Sequence, residues 1–90
     1  MNQTLHGIRS EIEGIDRELV TLIARRVDLA RRVGDAKREE GLPTLDPSRE
    51  AEVVSRAGQM ARNAGLDEEI VRTIFWHLVE TSRRVQREER

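Results

Sequence analysis

LIARRVDLARRVGDAK, residues 22–37, is the stretch on which the reading of the whole chain turns. Counted in sevens, it places Leu22, Leu29, Val33 and Ala36 on one narrow stripe and puts Arg26 where an apolar residue is due. Toward the N-terminus, Leu5, Ile8, Ile12, Ile15 and Leu19 continue the same alternation of three and four. Nine of these ten positions are apolar, the pattern of a long helix that buries a seam against another helix. A guanidinium aimed into such a seam needs a reason.

Two places interrupt the helical periodicity, EGLPTLDPS at 40–48 and RNAGLDEE at 62–69. Each offers a Gly where a helix ends and an Asp where the next begins. The chain therefore reads as all-α, with one long helix over about 5–39 and two shorter ones. The second starts with Asp46 as N-cap and Pro47 as first residue, and runs to about Asn63. The third starts near Asp67, with Glu68 and Glu69 complementing the helix dipole, and runs to about Glu88. Residues 1–90 form one small domain, too small to bury much surface alone, so a partner subunit is expected. The long seam suggests a homodimer with antiparallel long helices, each end covered by the shorter ones.

Composition agrees and excludes other classes. Charged residues make up 37% of the chain, against one Phe, one Trp and no Tyr, which favours aliphatic helix packing over an aromatic core. With no Cys there are neither disulfides nor thiolate metal sites. The polar start MNQTLHG lacks the apolar run of a signal peptide, and no segment reaches membrane-spanning length, so a soluble cytoplasmic protein is expected. A net charge of −1 disfavours general nucleic-acid binding, leaving local arrangement to create any attraction for anions.

Polar residues recur inside the apolar faces. The second helix should bury Val53, Val54, Ala57 and Ala61, and the same spacing includes Glu50. The third should bury Phe75 and Val79 together with Ser82 and Gln86. Lys37 and Arg9 lie on one flank of the seam, shared with Ile23 and Ala30. Singly, each has a structural explanation: Arg26 as a register-setting residue paired with Glu50, Lys37 as a dipole contact, Arg9 as a solvated surface charge. Together, Arg9, Arg26, Lys37 and Arg49 outnumber Glu50 and Asp46, and an excess of inward cations calls for an anionic ligand. Arg26 and Lys37 are 11 residues apart, about 16 Å, so long side chains could converge between them. Arg9 is about 25 Å beyond Arg26 and could join only from a second subunit.

The motifs IRSEIEGID (8–16), LIARR (22–26), VGDAK (33–37), LDPSRE (45–50) and HLVETSRRVQ (77–86), in this order and spacing, resemble the all-helical chorismate mutases over almost the whole chain. The resemblance implies an intertwined homodimer converting chorismate to prephenate in aromatic amino-acid biosynthesis, the shikimate pathway. It implies that Arg9 of the partner subunit and Arg26 hold the substrate's carboxylates, with Ser82 and Arg49 adding contacts. Lys37 and Gln86 would face the ether oxygen. Glu50, with the backbone at Asp46, would hold the ring hydroxyl. Such a rearrangement requires no cofactor and no metal; its demands are shape and charge.

Two related activities resemble this one in fold and cation set, isochorismate-pyruvate lyase and aminodeoxychorismate mutase; a carboxylate at Glu50 favours the chorismate mutase. A non-catalytic helical dimerisation module with an acidic partner is the alternative from another class. Feedback control would come from a complex with another shikimate-pathway enzyme, since these residues hold no further domain. His6 is expected to fray at the N-terminus, His77 to pack or hydrate, and Trp76 to serve interface or surface packing.

Overall fold

A computed structural model of the chain describes residues 3–88. Three helices account for most of them: α1 Leu5–Glu39, α2 Pro47–Asn63 and α3 Glu68–Gln86. Each begins on a side-chain cap. Thr4 Oγ1 accepts from the Gly7 N–H at 2.9 Å, Asp46 from Arg49 at 3.1 Å and Asp67 from Ile70 at 3.0 Å. Each satisfies one of the donors that a helix start leaves free.

The ends of α1 and α2 are equally local. Gly41 and Gly65 take positive φ values of 69° and 72°. Beyond them, Leu42 N–H bonds Lys37 O at 2.8 Å and Leu66 N–H bonds Ala61 O at 2.9 Å. Together with Gly41 N–H to Arg38 O and Gly65 N–H to Arg62 O, these are two complete Schellman motifs, which need a left-handed residue at the turn. α3 stops at Gln86, two residues before the expected end, where Arg87 N–H turns back to Arg84 O. His6 sits in the first turn of α1 and is not frayed, because the Thr4 cap holds that turn.

α3 is the hub, packing against both α1 and α2, while α1 and α2 make no direct helix contact. The buried apolar residues are Ala30, Val54, Ala57, Ala61, Val79 and Val85, a core of small side chains that draws the helices close. Gly34 marks the closest approach: a Cβ there would lie 2.7 Å from Gln86 O and 2.8 Å from Gln86 Cα. Arg38 Nη1 donates to the same Gln86 carbonyl at 2.8 Å, and Arg31 Nε pairs with Glu88 at 2.9 Å. The C-terminal end of α3 is thus pinned on α1, and Gln86 with it.

The N-terminal part of the seam takes no part in this packing. α1 meets α3 through the flank that carries Ala30 and Gly34, leaving Ile12, Ile15, Leu19, Leu22 and Leu29 each about half exposed. The N-terminal part of α1 projects, giving extents of 58 × 28 × 15 Å and a radius of gyration of 16.7 Å. A compact chain of this length would measure about 12 Å. No helix among the described residues is long and apolar enough to cross a membrane.

Candidate active site

A cavity of about 500 Å³ opens where the three helices meet. Its size is within the range that holds a small organic molecule. Arg26, Leu29, Ala30, Val33 and Lys37 line it from α1, with Asp46, Arg49, Glu50 and Val53 from the start of α2. Val79, Ser82, Arg83 and Gln86 close it from α3. Seven of the eight residues singled out by sequence are therefore brought together. Arg9 is exposed on the projecting part of α1 and does not line the cavity of its own chain.

In the cavity three side-chain pairs reach from one helix to another. Arg26 Nη1 donates to Ser82 Oγ at 2.5 Å and to Leu78 O at 3.3 Å. Ser82 in turn donates to Leu78 O at 3.0 Å, so its hydroxyl is committed on both sides and fixes the guanidinium. Among the described residues no carboxylate pairs with Arg26 within salt-bridge distance; burial first, then the charge of Arg49, lower its pKa from the ordinary value. It remains a cation, since arginine does not deprotonate in proteins.

Lys37 Nζ donates to Gln86 Oε1 at 2.7 Å and to Thr44 O at 2.8 Å, tying α1 to α3 and to the loop before α2. One ammonium N–H and both amide N–H of Gln86 are left for a ligand. Among the described residues the Arg49 guanidinium, on the rim, has only a 3.4 Å contact to Glu52. The Asp46 carboxylate caps α2, which places Arg49 and Glu50 in the first turn beside the cavity.

Glu50 is not paired with Arg26. Arg83 binds both of its carboxylate oxygens, Nε to Oε2 at 3.0 Å and Nη2 to Oε1 at 2.5 Å. These hydrogen bonds are the main reason the Glu50 carboxyl titrates below its usual range; the charges of Arg83 and Lys37 add to this, against burial and Asp46. Glu50 raises the Arg83 pKa correspondingly, through the same bonds. Arg83 is the lining residue that the sequence reading omitted. The signal was present, because Arg83 lies four residues after Val79 and three before Gln86, on the face assigned to burial.

The lining holds four cations, Arg26, Lys37, Arg49 and Arg83, against the two carboxylates Asp46 and Glu50. Two positive charges are in excess, in a concave site walled by Leu29, Val33, Val53 and Val79. Such a site attracts a small dianion with an apolar body. His77 is exposed, 4.0 Å from Glu80, and Trp76 is also exposed, so neither belongs to the site.

Residues 8–87 match the family described as chorismate mutase type II. The chorismate mutase of Methanocaldococcus jannaschii is 34% identical over 88 residues, covering 98% of this chain and 89% of that protein. The T-protein of Haemophilus influenzae is 34% identical over 73 residues, covering 81% of this chain but 19% of its own length. The 4-amino-4-deoxychorismate mutase of Streptomyces venezuelae is 32% identical over 71 residues, 79% of this chain and 69% of that one. Among solved structures, a conserved hypothetical protein from Pyrococcus furiosus matches with a TM-score of 0.76 and 36% identity, over 97% of this chain and all of the other.

Proposed function

The chain belongs to the chorismate mutase type II family, and from that membership we propose that it converts chorismate to prephenate. One observation carries this reading. Lys37 and Gln86 are bonded to each other inside a cavity with two cations in excess, and each keeps N–H donors free. Chorismate is a dicarboxylate, so its charge matches that excess.

The reaction breaks the ether C–O bond of the enolpyruvyl arm while a C–C bond forms to the ring. No atom enters or leaves, and negative charge gathers on the ether oxygen as the bond stretches. The third N–H of Lys37 and the Gln86 amide donate to that oxygen, preorganised by their mutual bond. Removing one such donor typically costs about 100- to 1000-fold in kcat. Arg26, held by Ser82 and Leu78 O, has its other guanidinium N–H groups free for a substrate carboxylate. Arg49 approaches the second carboxylate from the rim. Glu50 accepts from the ring hydroxyl on the lone pairs that Arg83 leaves open. The apolar walls hold the arm folded over the ring, which removes the conformational part of the barrier.

The exposed seam of α1 completes this reading. A homodimer with antiparallel α1 helices centred near Val20 would cover Ile12, Ile15, Leu19 and Leu22, and would set Arg9 of each subunit opposite residue 31 of the other. That position lies between Arg26 and Lys37, so the partner's Arg9 would close the cavity and supply a further carboxylate ligand.

The test is to follow chorismate absorbance with purified protein and identify the product by mass and NMR. Stoichiometric prephenate is expected. Unchanged chorismate, or release of pyruvate, would overturn the assignment. The similarity to 4-amino-4-deoxychorismate mutases supports a second reading, rearrangement of the amino analogue, and the same assay with that compound decides between them.

A further inference from the structure

We propose that Arg83 is a specificity-determining residue: by holding both oxygens of Glu50, it makes the site accept a neutral hydroxyl on the substrate ring and disfavour an ammonium there. This rests on the chorismate mutase reading above.

The bidentate pair lies on the cavity wall, with the side chains of Glu50 and Arg83 only 17% and 32% exposed. A carboxylate alone at Glu50 would attract a ring ammonium more strongly than a ring hydroxyl, since the cation gains an ion pair as well as hydrogen bonds. With Arg83 in place the carboxylate is already neutralised. An arriving ammonium would then meet Arg83, Lys37 and Arg49 with one compensating carboxylate fewer, and like charges at close range are costly. A hydroxyl suffers no such repulsion and still finds an open lone pair on Glu50. The pair is not needed to join α2 to α3, because Val54, Ala57, Ala61 and Val79 already bury that contact. Its position on the lining gives it a function toward the ligand.

The charged groups facing Glu50 are Lys37 from α1, Asp46 at the start of α2 and Arg83 from α3. Without Arg83, the Glu50 carboxyl loses the main influence that holds it low, and it protonates at higher pH.

The experiment compares wild type with Arg83→Met, which keeps the apolar stem and removes the charge. It measures kcat/KM for chorismate and for 4-amino-4-deoxychorismate, with thermal melting as a control for folding. The ratio favouring chorismate should fall by about tenfold or more in Arg83→Met. The acid limb of its chorismate pH profile should move to higher pH. Arg83→Lys, which restores the charge, should recover most of the preference, and Arg83→Gln, a polar and uncharged replacement expected to lose the preference as Arg83→Met does, carries the test if Arg83→Met does not fold. An equal loss for both substrates at an unchanged ratio would show a merely structural role and overturn the inference. Wild-type protein inert toward both compounds would instead overturn the functional reading on which it rests.

Discussion

Mixing two inactive variants tests whether the site is shared between subunits. Arg9 and Lys37 lie 28 residues apart on α1, a single helix from Leu5 to Glu39, so about 42 Å separates them along the axis. No side chain bridges that distance, and α1 is capped and continuous between them. If both residues contact one substrate, they come from different chains. Arg9→Ala and Lys37→Ala should each lose nearly all activity, since every site in either parent lacks one ligand. After random subunit exchange, half of the dimers are mixed, and in each of these one site lacks both residues while the other keeps both. About a quarter of wild-type activity per site should return. The assay is chorismate turnover after co-expression with two distinguishable tags, the mixed dimer being quantified by mass. Mixed dimers at their statistical proportion without recovered turnover would refute the shared site, and so would a monomer with full activity.

Arg26→Leu removes hydrogen bonds to Ser82 and Leu78 O, together worth about 1–3 kcal/mol, but it also relieves a desolvated cation and completes the apolar stripe. Stability in chemical denaturation should change by about 1 kcal/mol or less while turnover falls about 100-fold or more; a loss beyond about 3 kcal/mol would mark Arg26 as a structural residue. Gln86→Glu places a carboxyl against Lys37, which donates only when protonated and repels the developing charge when ionised. Its kcat should be retained at low pH and fall as pH rises through that carboxyl's pKa, which the Lys37 ammonium draws down against the upward push of substrate carboxylates. A profile parallel to wild type would place Gln86 away from the chemistry. Gly34→Ala drives a methyl into the Gln86 backbone and should cost about 1–3 kcal/mol by thermal or urea melting. It should lower kcat more than it raises KM by displacing the Gln86 amide, and unchanged kinetics would show that this helix contact does not position the site.

The helices and their ends, except the last two residues expected of α3, were legible in the sequence because their causes are local. Asp46 and Asp67 cap donors three residues away, and Gly41 and Gly65 close turns within six residues, so composition and spacing suffice. The inward set on α2 and α3, Glu50, Ser82 and Gln86, was legible for the same reason, since helical spacing assigns a face without reference to the rest of the fold. Choosing partners was another matter. Helical spacing separates the adjacent Arg83 and Arg84, turning Arg83 inward and Arg84 to solvent, but that the carboxylate Arg83 meets is Glu50 follows only from how α3 packs on α2. Heptad spacing marked the seam as the buried stripe of α1, but within the chain the flank with Ala30 and Gly34 is what meets α3, because only small residues there permit the approach to Gln86. The three pairs that shape the cavity join residues 33, 49 and 56 positions apart. Periodicity carries no information across such separations. The tilt and rotation of one helix on another decide which long side chains meet.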